Sequence, residues 1–299
     1  MHQQSLRTEI APAALAPYLR AAEIRTARLG DEDKSEVLQF LAQRPLHTVT
    51  IVGFIRDNGL VSPLNRGDFY GCRNRKGELE GVAIIGHATL METTTDRAVE
   101  ALAEIARKCK TAHLIMGEKQ RVDEFLNYYS DGGQEMRLAG RELLFELRWP
   151  IEAHHGISGL RRATIEDLDL VLPVHAELAF AESGVNPLEK DPEGFRERGA
   201  RRIEQGRTWV LIDRKGELTF KAEVVAENSD VTYLEGIWVN PNARREGVGR
   251  RCMFQLAQNL LAHSASLCLL VNDKNVAAQN LYKKLGYKIR GAYDTIFLK

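Results

Sequence analysis

The run Val239-Asn240-Pro241-Asn242-Ala243-Arg244-Arg245-Glu246-Gly247-Val248-Gly249-Arg250 joins a strand-like segment to a helix-like one. Before it lies Thr232-Tyr233-Leu234-Glu235-Gly236-Ile237-Trp238-Val239, rich in β-branched and aromatic residues. After it, Met253, Leu256, Ala257 and Leu260 recur with helical spacing. A strand, a glycine-containing turn and a helix point several free backbone N–H groups at one spot, and the helix dipole adds positive charge there. Gly247 and Gly249 would let a phosphate approach the backbone, and Arg244, Arg245, Arg250 and Arg251 add positive charge. The absence of GKS or GKT excludes a Walker loop, and RxxGxG is not the dinucleotide spacing GxGxxG.

Outward from this loop the chain reads as two similar halves. Ile24-Arg25-Thr26-Ala27-Arg28-Leu29-Gly30-Asp31 is echoed by Leu160-Arg161-Arg162-Ala163-Thr164-Ile165-Glu166-Asp167, each a short strand before a helix with an acidic start. Arg75-Lys76-Gly77-Glu78-Leu79 returns unchanged as Arg214-Lys215-Gly216-Glu217-Leu218, in each case a turn between β-like runs. The order of these landmarks predicts a duplication, with an N-terminal extension over 1–22, domains over 23–150 and 158–299, and a linker over 151–157. In the second half strands are expected at 158–163, 208–213, 218–226, 231–239 and 266–271, with a last strand pair near 287–298. Helices are expected at 165–181, 192–205, 247–262 and 275–285. The first half runs similarly, with a helix at 95–108 and a strand at 112–116. The fold class is therefore α/β of the α+β kind, two mixed and largely antiparallel sheets flanked by helices.

Apolar residues make up 44% of the 299 residues and charged ones 27%, ordinary for a globular protein. Lys plus Arg, 41, balance Asp plus Glu, 41, so no global field draws the chain to nucleic acid or to an anionic membrane. No apolar run reaches the ~18 residues of a membrane span. Cys72, Cys109, Cys252 and Cys268 form no CxxC pair, and no metal-ligand spacing is present; the adjacent His154 and His155 lack further spaced ligands. A reducing cytoplasm is the expected setting.

The loop, with its V-x-P-x-x-R-x-x-G-x-G pattern, resembles the GNAT superfamily of N-acyltransferases. A second block, Asn272-Asp273-Lys274-Asn275-Val276-Ala277-Ala278-Gln279-Asn280-Leu281-Tyr282-Lys283-Lys284-Leu285-Gly286-Tyr287, resembles that superfamily's N-x-x-A-x-x-L-Y-x-K-x-G-[FY]. Residues 41–60 and the phrase FKAEV resemble, more loosely, a tandem group in which a degenerate GNAT-like domain precedes a complete one.

That resemblance implies transfer of an acyl group, acetyl above all, from acetyl-CoA to an amine acceptor by direct attack in a ternary complex. It implies that the backbone of Ile237 and Val239 pairs with the pantetheine arm, Val239 N–H polarising the thioester carbonyl. The pyrophosphate would lie on Arg244, Arg245, Glu246, Gly247, Val248, Gly249 and Arg250, and Asn275 would touch the pantetheine or an ordered water. Tyr282 stands where the family places the acid that protonates the leaving thiolate. The residue pattern alone places Tyr282 equally on an apolar helix face with Ala278, Leu281 and Leu285.

Glu235 and Glu223 are the candidate bases, Glu223 sharing a strand face with Lys221. Glu182 is a candidate wall of the acceptor site. Aligning residues 114–126 on 269–281 puts Glu92-Thr93-Thr94-Thr95-Asp96 where the first half's phosphate loop would be, without the Gly pair or the arginines. The first half is expected to be structural or to wall the acceptor cleft. A non-catalytic acyl-CoA sensor is the alternative. Use of a charged tRNA is disfavoured by the neutral charge balance and the intact coenzyme A loop. The assembly is expected to be a monomer with an internal pseudo-dimer, or a homodimer.

Overall fold

The computed structural model describes residues 24–149 and 156–299; the extension expected over 1–22 and most of the linker expected over 151–157, with His154 and His155, lie outside them. The first half runs β1 (Arg25–Arg28), α1 (Lys34–Leu41), α2 (Pro45–Asn58), β2 (Gly67–Arg73), β3 (Leu79–Gly86), β4 (Ala88–Thr93), α3 (Asp96–Ala106), β5 (Leu114–Glu118), α4 (Lys119–Tyr129) and β6 (Met136–Leu147). The second runs β7 (Arg161–Arg162), α5 (Leu168–Ser183), α6 (Pro187–Lys190), α7 (Pro192–Glu204), β8 (Thr208–Ile212), β9 (Leu218–Glu227), β10 (Thr232–Val239), α8 (Val248–Leu261), β11 (Leu267–Asn272), α9 (Val276–Leu285) and β12 (Lys288–Leu298).

The two halves repeat at the level of single hydrogen bonds. Asn74 Oδ1 accepts from the N–H groups of Lys76 and Glu78, and Asp213 Oδ1 accepts from those of Lys215 and Glu217. An acidic or amide side chain thus closes the same turn twice, because it can mimic the backbone acceptor of a tight turn. At the first helical entry Asp33 accepts from Gly30 N–H at 3.0 Å; at the second, Asp167 accepts from Thr164 N–H at 2.8 Å.

All strands join one twelve-stranded sheet in the order β1-β2-β3-β4-β5-β12-β6-β11-β10-β9-β8-β7. The sheet is antiparallel except at β4/β5 and β10/β11. Each half gives its last strand to the other. β12 lies between β5 and β6, with Thr295 opposite Met116 on one side and Gly140 on the other. β6 in turn lies beside β11, Leu144 opposite Leu270.

Packing follows this exchange. Phe145 and Leu147 of β6 enter the core of the second half with Leu269, Val271, Met253 and Leu256, while Ile296 and Leu298 of β12 enter that of the first. A smaller cluster crosses the junction, where Val49 of α2 meets Leu144, Ala226, Tyr233, Cys268 and Tyr293. Arg207 closes the same face with two 2.6 Å contacts to the carboxylate of Asp57.

Two expected elements differ and one was not foreseen. The strand pair near 287–298 is one strand, Lys288–Leu298, whose register shifts between Ile289 and Gly291. The strand expected over 158–163 is only Arg161–Arg162, because Arg161 turns to clasp Asp167 at 2.6 and 2.9 Å and the chain enters a 3-10 turn over Ile165–Asp167. The short helix Pro187–Lys190, begun by an Asn186 cap and a proline, was not expected. Among the described residues no helix is long and apolar enough to cross a membrane.

Candidate active site

β10 carries the feature from which the site is built. It pairs in parallel with β11 only over Thr232 to Leu234, opposite Leu267 to Leu269. A bulge then falls between Glu235 and Trp238, with Gly236 at φ 57°, a conformation that favours glycine. Beyond the bulge β10 still follows β9, Trp238 opposite Lys221 and Val239 opposite Phe220, but it has left β11. The strands splay, and Ile237 faces the resulting notch.

The turn after β10 is held by its own side chains. Asn240 Oδ1 accepts from Asn242 N–H, and Arg244 Nε donates to Val239 O at 3.0 Å. Arg245 has φ 68° and Gly247 φ 76°, and α8 starts at Val248 with no side chain capping its first turn. Unclaimed N–H groups at a helix start, with arginines beside them, suit an anion. A Cβ built on Gly247 would meet nothing within 4 Å, so that glycine is required by its backbone angle. Gly249 differs from the sequence expectation: a Cβ there would lie 3.0 Å from Val239 Cγ2, so it is small because α8 packs against β10.

The notch opens into a cleft of about 720 Å³. Its walls include Ile237, Asn275 and Tyr282 from the second half, and Phe54 and Asp57 of α2 and Glu142 of β6 from the first. Asn275 caps α9, its Oδ1 accepting from Ala278 N–H at 3.1 Å. Tyr282 is buried, with its ring centroid 6.1 Å from Phe145 and 5.5 Å from Tyr287, and burial pushes its phenol up. It therefore belongs to the core and lines the cleft at once.

The carboxylates of the cleft have unlike surroundings. Glu223 is 1% exposed and stands 2.6 Å from His175 Nε2, 2.5 Å from Arg202 and 3.1 Å from Lys221, itself 0% exposed. Burial alone would raise its carboxyl, but Lys221, His175 and Arg202 outweigh that and hold it far below the ordinary range. A carboxylate so stabilised is a poor proton acceptor. Lys221 also reaches the Gly236 carbonyl at 3.5 Å, so this ion cluster backs the bulge.

Glu235 accepts from the Tyr233 hydroxyl at 2.6 Å. Glu142 accepts from the Thr295 hydroxyl at 3.1 Å; burial, then the charge of Glu235, pushes its carboxyl up to about 7. Glu182 stands at the cleft mouth, reached by solvent yet crowded by protein, and burial followed by Glu235 and Glu142 pushes it up to about 7. Among the described residues no group of three His, Cys, Asp or Glu side chains is arranged to hold a metal.

Comparison with known proteins fits this geometry. Residues 175–287 match the model of the acetyltransferase (GNAT) family. The second half is a GNAT domain. The peptidyl-lysine N-acetyltransferase YjaB of Salmonella typhimurium is 29% identical over 59 residues, 20% of this chain and 38% of that protein, so the match spans well under half of the curated relative. The fold extends to both halves. A Drosophila protein of solved structure superposes with a TM-score of 0.65 at 15% identity, covering 92% of this chain and 98% of its own. A GNAT-family acetyltransferase from Colwellia psychrerythraea gives 0.58 at 13%, covering 93% and 100%. A tandem GNAT protein from the clavulanic acid biosynthesis pathway gives 0.57 at 13%, covering 92% and 98%.

Within this tandem GNAT fold the first half keeps the parallel strand pair without the loop. β4 ends at Thr93 and α3 begins at Asp96, capped by Thr95 Oγ1, which leaves no turn to hold a phosphate. Where the second half splays, the first is plugged: Arg44 bonds Glu92 at 3.0 Å and Glu118 at 2.6 Å. Only about 40 Å³ of cavity is left beside them.

Sequence reasoning missed Glu142, His175 and Arg202. His175 stands out as a polar residue in the apolar run LDLVLPVHAELAF, a signal of a buried partner. Glu142 carried no such mark.

Proposed function

We propose that the chain is an acyl-CoA-dependent N-acyltransferase that moves an acetyl group to an amine acceptor by direct attack in a ternary complex. In this reading residues 158–299 bind the coenzyme and residues 23–150 wall the acceptor side, the two forming a pseudo-dimer within one chain. The observation that carries it is the succession along β10: its splay from β11 with Ile237, Tyr282 and Glu142 in the cleft that opens there, and after it a turn leading to an uncapped helix start.

Each part has a task. The turn over residues 244–250 holds the pyrophosphate on its N–H groups and arginines. The free edge of β10 at Ile237 and Val239 pairs with the pantetheine, as an added strand would. The Val239 N–H stabilises the charge that develops on the thioester oxygen. Tyr282 protonates the departing thiolate; its raised pKa keeps the phenol protonated until that charge appears. Glu223 keeps β10 in its bulged form through Lys221. The carboxylates Glu142, Glu182 and Glu235 on the cleft wall suit a cationic amine, and the lysine side chain acted on by YjaB is one member of that class.

Calorimetric titration with acetyl-CoA, followed by thiol release over an amine panel for wild type and Tyr282→Phe, tests this reading. Binding with turnover that drops in Tyr282→Phe supports it. Binding with no thiol release on any amine favours an acyl-CoA sensor, and no binding at all refutes both.

A further inference from the structure

We propose that Glu142, carried into the second half by the exchanged strand β6, is the proton acceptor for the amine, so that the catalytic site is assembled from both halves of the chain. The proposal rests on the transferase reading above and assigns the step that the sequence left between Glu235 and Glu223.

Position comes first. Glu142 is opposite Asn272, the last residue of β11, and opposite Tyr293 of β12. The end of β11 is where β10 has already turned away, so Glu142 reaches the open end of the notch that would present the thioester. Glu142, Glu235, Ile237, Asn275 and Tyr282 line one cleft.

Availability comes second. Glu223 is committed to Lys221, His175 and Arg202. Glu235 accepts a short hydrogen bond from Tyr233. Glu142 has the Thr295 hydroxyl on Oε2, and among the described residues no cation pairs with it.

The groups around it are identifiable on every side. Glu235 and Tyr233 face it from β10, Glu182 from α5, and Thr295 from β12. Across the cleft stand Glu223 of β9 with the buried Lys221 behind it, His175 of α5, Arg198, Arg201 and Arg202 of α7, and Arg207 paired with Asp57 of α2. Arg141, next along β6, is spent on Asp294. Lys221, His175 and Arg202 are already paired with Glu223, Arg198 with Asp191, and Arg207 with Asp57. A carboxyl left with neighbouring acids and little water titrates near neutrality, where a base for an ammonium is most effective.

The Glu142 carboxylate takes one proton from the bound ammonium, leaving a neutral amine. The nitrogen lone pair forms the C–N bond at the thioester carbon, and the adduct expels sulfur as the C–S bond breaks. Tyr282 gives its proton to the thiolate and regains one through water from the amide nitrogen. The proton on Glu142 is released to solvent, so an ammonium and an acetyl thioester become an amide, a thiol and one proton.

The test uses full-length protein with acetyl-CoA as donor and n-butylamine, cadaverine, tyramine and a lysine-containing peptide as probes. Carbon-13 NMR of the glutamate carboxyls in the acetyl-CoA complex gives a readout without turnover, Glu142 being assigned by its loss in Glu142→Gln. The expected result is a carboxyl titrating near pH 7, a kcat/KM that rises with pH through the same range, and a 100- to 10,000-fold fall in Glu142→Gln with that acid limb gone. Acetyl-CoA affinity stays unchanged in the variant, because glutamine keeps the Thr295 hydrogen bond. A Glu142 carboxyl titrating near pH 4, or an acid limb that survives in Glu142→Gln, overturns the proposal and leaves the transferase reading standing. Failure of wild type to bind acetyl-CoA removes the transferase reading and this inference with it.

Discussion

Replacing Lys221 with methionine removes an ammonium that is 0% exposed from a carboxylate that is 1% exposed, keeping the length of the side chain. Breaking a buried ion pair from one side costs about 3–5 kcal/mol, because the remaining charge is left without compensation. Glu223 retains His175 at 2.6 Å and Arg202 at 2.5 Å, which places the expected loss at the lower end, about 3 kcal/mol. At this chain length that corresponds to a fall of roughly 6 °C in thermal midpoint. Guanidinium unfolding followed by tryptophan fluorescence measures the loss directly, since one of the three tryptophans, Trp209, is in the core of the second half.

The pH dependence has a definite sign. The folded pKa of Glu223 lies below its unfolded value of about 4.3, so its stabilising contribution is complete above that value and is lost as the pH falls below it. The gap between wild type and Lys221→Met should therefore be full at pH 7 and narrow below pH 4. Equal denaturant midpoints at pH 7 would refute the view that this cluster holds the β10 bulge.

Other outcomes follow from neighbouring features. Gly247→Val forces a branched residue into φ 76°, costing about 1–2 kcal/mol locally while meeting no neighbour, so titration should show acetyl-CoA affinity reduced tenfold or more in a folded protein. Glu142 has a folded pKa above its unfolded one, so its charge opposes folding progressively as pH rises from about 4.3 to about 7; Glu142→Gln should raise the unfolding free energy by roughly 3 kcal/mol at pH 8 and by roughly 1 kcal/mol at pH 5. Residues 24–149 and 156–299 expressed as separate chains should each fail to give a cooperative unfolding transition, and mixing them should restore it, as monitored by circular dichroism. Arg207→Ala should cost about 1 kcal/mol in urea unfolding, with the difference shrinking in high salt, because the Asp57 pair is partly solvated.

Local features of the second half were legible because their causes are local. The periodicity of Met253, Leu256, Ala257 and Leu260 is a helix signal, and all four are buried on one face of α8. The repeated turn pentapeptide was readable because a side-chain acceptor and a glycine act within five residues. Strand partnership is different. Residues 142–149 announce a strand, but alternation does not say which neighbour that strand meets. β6 pairs with two strands more than a hundred residues downstream.

Glu142 was invisible for that reason, its role depending on Asn272 and Thr295. Glu223 and Lys221 were placed correctly on one side of β9. Their burial depends on His175 and Arg202 arriving from two helices, which no strand pattern contains. The Gly236 bulge looked like an ordinary glycine in a strand.

The mutual exchange of last strands has a consequence for synthesis on the ribosome. β5 emerges early, yet β12, the strand that covers its free edge, is made only after β6 to β11. β6 likewise waits for β11. Until β12 is made, the nascent first half carries an open sheet edge and an unfilled core, the kind of surface that recruits chaperones or pairs with a neighbouring copy. Closure late in synthesis, through contacts of very long sequence separation, should make folding slow for a chain of this size. A chain stopped before β12 would leave the first half's core without Ile296 and Leu298 and the edge of β5 open.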